Sequence, residues 1–478
     1  MKIHILWLLL VISFISCKND KPKDTVQETE ITQSIAPITD TVLESAVIYE
    51  ANIRQYSPQG TFNAFTKDIP QLRELGVKII WLMPVFPISE VKRKASGDLM
   101  IEDIEDPKER EKILGSYYAV SDFRKINPDL GTREDFRKLM ETAHDHGMYV
   151  ILDWVPNHTG WDHYWITEKP EFYTRNALGE ITDPLKEDGN PVGWADVADL
   201  NYVNLELRKT MIAQMLQWVK EEDIDGFRCD MAGMVPDDFW EEAIPRLREV
   251  KPVFMLAEAD KPELSGHGLF EMSYGWEVHH ILNAIAQGKK DVSHFDEYIV
   301  KTNRNWKDSD ILMNFVTNHD ENAWAGPVRE RMGDGTEALL ALTYCMPGMP
   351  LIYSGQEYDL DRRLEFFKKD SIPKKKGNMW PLLSKLGTMK NSIPAMSGGK
   401  NAASYQRIVT SNSKAVLAFK REKEGSEILY IANLSSTPVK FKMPLQGAYD
   451  NALTGEVKEF VSGVEHELDP WQYFIFTK

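Results

Sequence analysis

The stretch TREDFRKLMETAHDHGMYVILDWVPNH, residues 132–158, carries the alternation on which the fold reading rests. Its first part is a helix-period run with Thr132 as N-cap and Asp135 three residues on, the spacing of a capping box. Gly147 stops it, so His144 and His146 mark a helix end rather than a metal site. MYVILDWV (148–155) then reads as a continuous apolar strand, the pattern of a strand covered on both faces. A polar, Trp-, Gly- and Pro-rich excursion follows, to about Asn204.

The same punctuation extends in both directions. Upstream, AVIYEANI (46–53) and VKIIWLMPV (77–85) read as strands, with a helix between Thr61 and Gly76. Downstream, LELRKTMIAQMLQWVKEE (205–222) reads as a helix and IDGFRCD (224–230) as a strand. A helix around DDFWEEAIPRLREV (237–250) and a strand PVFMLAE (252–258) come next. LFEMSYG (269–275), DILMNFVTN (310–318) and PLIYSGQE (350–357) bring the strands to eight. This predicts an α/β chain, a (β/α)8 TIM barrel over 45–395 with a short insertion at about 156–204 after the third strand. A doubly wound sheet is disfavoured because no Gly-rich phosphate turn opens the series. From about Ser404, short alternating strands with Gly, Asn and Ser turns replace the helices. They predict a C-terminal antiparallel β-sandwich over 402–478, with SGGKN (397–401) as the boundary.

The N-terminus reads as a targeting segment. Lys2 precedes an almost wholly apolar run, Ile5 to Ile15, that is shorter than the roughly 20 residues a spanning helix needs. Residues 1–16 are therefore expected to be a signal peptide. FISC (14–17) resembles the lipobox of bacterial lipoproteins, which implies a lipidated Cys17 and an exported, membrane-anchored protein, periplasmic or at the cell surface. An ordinary secretory signal is the alternative. Residues 17–44, polar and with Pro22 and Pro37, are expected to form a flexible tether.

Composition narrows the partners. The chain has 478 residues, 42% hydrophobic, enough for a sizeable core. A formal net charge of -17 argues against nucleic acid, which needs a basic face. Three Cys (Cys17, Cys229 and Cys345) make no disulfide scaffold, and no spacing suits zinc. Thirteen Trp fit either core filling or stacking on sugar faces.

The chemistry-bearing residues stand at strand ends, where barrel enzymes hold their sites. Asp153 ends the third strand, Arg228 and Asp230 the fourth, Glu258 the fifth, and His319 and Asp320 the seventh. Several carboxylates beside apolar sequence need pairing or a task, since an isolated buried charge is costly. Paired carboxylates suit glycosidic bond cleavage, one as acid and one on the opposite face of the sugar. Arg228 and Asp230 share a strand face, so the guanidinium is expected to hold that carboxylate ionised. Glu258 is expected to enter the cycle protonated.

DWVPNH, GFRCD, the Glu of LAEAD, and NHD, in that order, resemble the signature motifs of the α-amylase family. GSYYAVSDFRKINPDLGT, VADLN (197–201) and GMPLIYSGQE resemble its flanking sequence, and the resemblance runs from about residue 45 to the end. It implies a retaining hydrolase of α-1,4-glucosidic bonds in starch, maltodextrins or related α-glucans, working through a covalent glycosyl-enzyme. Asp230 would be nucleophile, Glu258 general acid/base and Asp320 transition-state stabiliser. Tyr118, Asp153, His158, Arg228 and His319 would line the cleaved subsite. No cofactor is implied for the chemistry. Asn157 and Asp199 are candidate oxygen ligands for a structural calcium, with Asn157 equally readable as a turn residue.

The chain departs from many α-amylases after the nucleophile, where a Lys-His pair is replaced by Gly233 and Met234. That keeps in view an exo-acting α-glucosidase, a cyclomaltodextrinase or neopullulanase-type hydrolase, or a transglycosylase. A non-catalytic glucan-binding protein is the reading from a different class. Trp161, Trp165, Trp194 and Trp324 are divided between local packing and sugar stacking. Cys229, between Arg228 and Asp230, is expected to point away from them as a buried thiol.

Overall fold

The computed structural model describes residues 35–186 and 188–478. The expected signal peptide, Cys17 and the expected tether up to residue 34 lie outside the described residues.

Eight parallel strands close into a barrel: β1 (Val47–Ala51), β2 (Val77–Leu82), β3 (Tyr149–Trp154), β4 (Gly226–Cys229), β5 (Phe254–Ala257), β6 (Met272–Tyr274), β7 (Ile311–Asn314) and β8 (Met349–Tyr353). Each pairs with its neighbours in sequence, and β8 closes against β1. All eight lie within the expected strands except that Met349 starts β8 one residue early. The strands alternate strictly. Ile48, Ile79, Ile151, Leu256, Met313 and Leu351 fill the barrel interior. Val47, Ile80, Leu152, Phe227, Cys229 and Ile352 pack outward against the helices. Near-continuous apolar strands result because both faces are buried.

The helix between β2 and β3, Arg133–Asp145, starts in the expected capping box, with Thr132 and Asp135 exchanging hydrogen bonds. His144 in its last turn pairs with Asp225 at 2.8 Å. The helix expected between Thr61 and Gly76 is broken into Phe62–Thr66, Ile69–Leu72 and a single tight turn at Arg73–Leu75. Pro70 starts the second piece, and Gly76, at φ 77°, ends the run in a left-handed turn.

The described residues from Ile35 to Glu44 fall inside the stretch whose composition reads as tether, yet they are packed. Ile35, Ile38 and Val42 pack against the barrel interior, and Leu43 is buried. A short helix, Asp40–Glu44, capped by Thr39, carries this plug at the end opposite the strand C-termini. Its apolar residues are spaced too irregularly to register as an amphipathic element.

After β3 the insertion is held by an antiparallel ribbon, His158–Gly160 against Val197–Asp199. The C-terminal domain is a six-stranded antiparallel sheet faced by a two-stranded one, Val439–Lys442 with Glu465–Leu468. Leu429, Ile431, Phe441, Phe460 and Phe476 pack together in it. Among the described residues no helix is long and apolar enough to cross a membrane.

Candidate active site

Three backbone hydrogen bonds continue the barrel ladder past the strand ends. Asp230 N–H donates to Trp154 O at 2.8 Å, and Glu258 N–H to Cys229 O at 3.0 Å. Asp225 N–H, at the other end of β4, donates to Val150 O at 2.8 Å. Asp230 and Glu258 are thus fixed by strand pairing rather than by loop packing. Met231 then turns left-handed at φ 45°, an uncommon conformation for a side-chain-bearing residue. The turn aims its N–H at Glu258 Oε2, 2.7 Å away.

Arg228 is the centre of charge. It is wholly buried, and its guanidinium meets Asp153 at 2.8 Å, Asp230 at 2.9 Å and Glu258 at 2.9 Å. Its Nε donates to the Tyr274 hydroxyl at 3.2 Å. Asp153 is also wholly buried and accepts from Trp81 Nε1 and from Tyr118 OH, both at 3.1 Å. Asp153 and Arg228 therefore form the floor. Asp230 and Glu258 keep about a tenth of their side-chain surface open and Asp320 a third, so these three face the cleft.

Three carboxylates around one guanidinium leave excess negative charge. Burial, then the Glu258 charge, push the Asp230 carboxyl well above its ordinary range, against the pull of Arg228. Arg228 pulls Asp230 toward its ionised form, the direction expected, but burial and the Glu258 charge outweigh it. The surroundings of Asp230 thus oppose its charge on two counts and favour it on one.

On the opposite wall, His319 stacks on Tyr118 with ring centres 5.4 Å apart. Tyr118 OH lies 2.8 Å from His319 Nε2. His158, lowered to about 4 by burial, is neutral near neutral pH and lies edge-on to Trp194. The described part of the site thus gathers Tyr118, Asp153, His158, Arg228, Asp230, Glu258, His319 and Asp320 at one barrel mouth. Trp165 is core, packed on Phe172. Trp161 is partly exposed and lies under the Lys92 ammonium. Trp324 is 55% exposed and donates to Asp320 Oδ1 at 3.2 Å. Cys229 is a buried free thiol packed outward. Gly233 leaves room beside Ala259, where a Cβ would make ordinary contact.

Sequence reasoning missed Glu50, Trp81 and Tyr274. Glu50 shares the inward parity of Ile48 on β1 and is completely buried. A lone acidic residue at an inward strand position was the available signal.

Asn157 and Asp199 lie at the base of the insertion ribbon, where Leu200 N–H donates to the Asn157 backbone carbonyl and His158 stands opposite Asp199 in the ladder. Burial raises Asp199 to about 6. Among the described residues, no three His, Cys, Asp or Glu side chains converge as a metal cluster.

Residues 18–178 and 192–379 match the family model described as "Alpha amylase, catalytic domain". The chain is 26% identical to "Alpha-amylase MalA" of Haloarcula japonica over 87% of its own length and 59% of that protein's. It therefore spans under two thirds of the length of that relative. A crystal structure of an α-amylase from Lactobacillus plantarum is 30% identical, with TM-score 0.77, covering 92% of this chain and all of that one. The noncanonic maltogenic α-amylase AmyB of Thermotoga neapolitana has TM-score 0.79 at 26% identity, over 91% of this chain and 99% of that one. With a catalytic-domain match over most of its length and its motif residues converging at the barrel mouth, the chain belongs to the α-amylase family.

Proposed function

We propose that this protein is a retaining glycoside hydrolase that cleaves α-1,4-glucosidic bonds in starch, maltodextrins or related α-glucans. The supporting observation is that Asp230 and Glu258 share one buried guanidinium at the barrel mouth. In the first step Glu258 gives its proton to the glycosidic oxygen as that bond breaks, and an Asp230 oxygen bonds the anomeric carbon. In the second, Glu258 takes a proton from water, whose oxygen displaces Asp230. Asp320, at the open rim, would grip sugar hydroxyls, and the Tyr118 ring would stack on the sugar. Proton NMR of fresh product is expected to show the α-anomer first, whereas β-anomer first overturns the mechanism.

Gly233 and Met234 favour a second reading, action on short or cyclic substrates with small products, by opening the leaving-group side. The similarity to a maltogenic α-amylase agrees with that reading. A time course on amylose separates them. Mid-length oligosaccharides at the start support endo attack, and maltose or glucose alone supports the second reading.

Two further parts of the proposal concern attachment and a cation. Cys17 would carry lipid and place the barrel outside the cytoplasm on a membrane surface. Labelled palmitate is expected in the wild-type chain and not in Cys17→Ser, and equal labelling overturns the anchor. Calcium, a hard cation, suits the Asn157 amide oxygen and the Asp199 carboxylate, and backbone carbonyls of the ribbon would complete its oxygen shell. It would staple the insertion to the barrel and take no part in the chemistry.

A further inference from the structure

Glu50 is an acidic group at the bottom of the cleft that the proposed chemistry does not use. It lies on β1, wholly buried, with Oε1 2.5 Å from His319 Nδ1. The same oxygen is 3.4 Å from the His319 backbone N–H. Its other oxygen, Oε2, is buried and has no hydrogen-bond partner. A buried carboxylate half satisfied in this way needs a cation beside it.

The surroundings of His319 supply one. Nδ1 faces the Glu50 carboxylate. Nε2 faces Tyr118 OH at 2.8 Å and Asp320 Oδ2 at 3.4 Å. The Tyr118 hydroxyl has its own acceptor in Asp153, so its oxygen is left to accept from Nε2. With Glu50 ionised, both ring nitrogens point at acceptors, which the doubly protonated imidazolium satisfies. Trp81 packs edge-on against the ring.

We propose that Glu50 is a positioning residue that fixes His319 as an imidazolium, its Nε2–H held by the Tyr118 oxygen beside the Asp320 carboxylate. This rests on the glycosidase reading above. Burial alone would lower His319, but Asp320 and Glu50 outweigh it and bring it to about 9. Burial raises Glu50, with His319 and Arg228 opposing. The other groups facing the pair are Asp153, Tyr118, Tyr274 and Tyr353. Because His319 is raised, its charged form is complete below its ordinary value of 6.5 and is lost as pH rises through about 9.

The test uses the full chain with a nitrophenyl α-maltooligosaccharide as substrate, and imidazole NMR of 15N-histidine-labelled protein. In the wild type His319 is expected to titrate well above 7, with the alkaline limb of kcat/KM following it. Glu50→Gln keeps an acceptor for Nδ1–H but removes the charge. It is expected to move both the His319 midpoint and that limb down by at least one pH unit. This lowers kcat/KM above the new midpoint by about tenfold relative to wild type. Glu50→Asp is expected to retain the high midpoint in part. A wild-type midpoint of 6–7, read without any variant, overturns the proposal even where Glu50→Gln fails to fold. An unmoved midpoint in a folded Glu50→Gln also overturns it. If the wild type turns over no α-glucan while His319 still titrates high, the glycosidase reading fails and the Glu50–His319 pairing stands.

Discussion

Arg228 touches three carboxylates with one guanidinium, and the electrostatics of the site follow from that ratio. Burial and the neighbouring Glu258 charge push the Asp230 carboxyl up, against the pull of Arg228. Asp230→Asn removes the nucleophile while keeping shape and one hydrogen bond to Arg228. It is expected to lower kcat on the order of 10^4-fold or more while leaving the thermal midpoint within a few degrees. Activity near that of the wild type, measured on maltooligosaccharides, would rule Asp230 out as nucleophile. Most carboxylates of the site were legible as residues because each closes an apolar strand. Glu50 was not, because it lies inside its strand, and a single inward-facing acid reads as sequence noise until its histidine partner, 269 positions away, is brought beside it.

At the scale of elements, β4 does more than any other strand. Gly226, at φ 153°, brings the chain so close to β5 that a Cβ would lie 1.9 Å from Phe254 O. That close approach seats Arg228 and Asp230 beside Glu258 two and four residues later. The strand was legible from its apolar run, but the glycine's role was not, since the contact it permits is across the sheet. The insertion ribbon is the weaker element, three residues on each side. If calcium binds at Asn157 and Asp199, EDTA is expected to lower the melting temperature by several degrees, and added calcium to restore it. The size follows from mass action on a folded-state ligand. An unchanged melting temperature after chelation rules out a structural cation there.

For the whole molecule, the described chain closes on itself at the barrel's outer wall. Arg421, on the strand Val416–Lys423, is completely buried. It donates to the carbonyls of Cys345 and Met346 at 3.2 Å, of Ala403 at 3.1 Å, and of Ser397. Lys390, on the last barrel helix Met379–Ser392, binds Gly348 O and Met396 O at 3.0 and 2.7 Å. Burial, then Arg421, bring Lys390 down to about 7. The two side chains satisfy carbonyls left over where the helix run ends and the sheet begins. Arg421→Ala leaves these acceptors buried and unpaired, at a cost of about 3 kcal/mol or more. The urea midpoint is expected to fall accordingly, and an unchanged midpoint would show that the junction contributes nothing. The sequence by itself determined the eight strands, their order, the terminal sheet and the carboxylates at the barrel mouth, because those are set by local periodicity and by strand ends. Only the tertiary structure decided which side chains share Arg228, that Glu50 stands under His319, and that residues from Ile35 onward plug the barrel rather than trail from it. Those depend on contacts between positions tens to hundreds of residues apart, which no local pattern encodes.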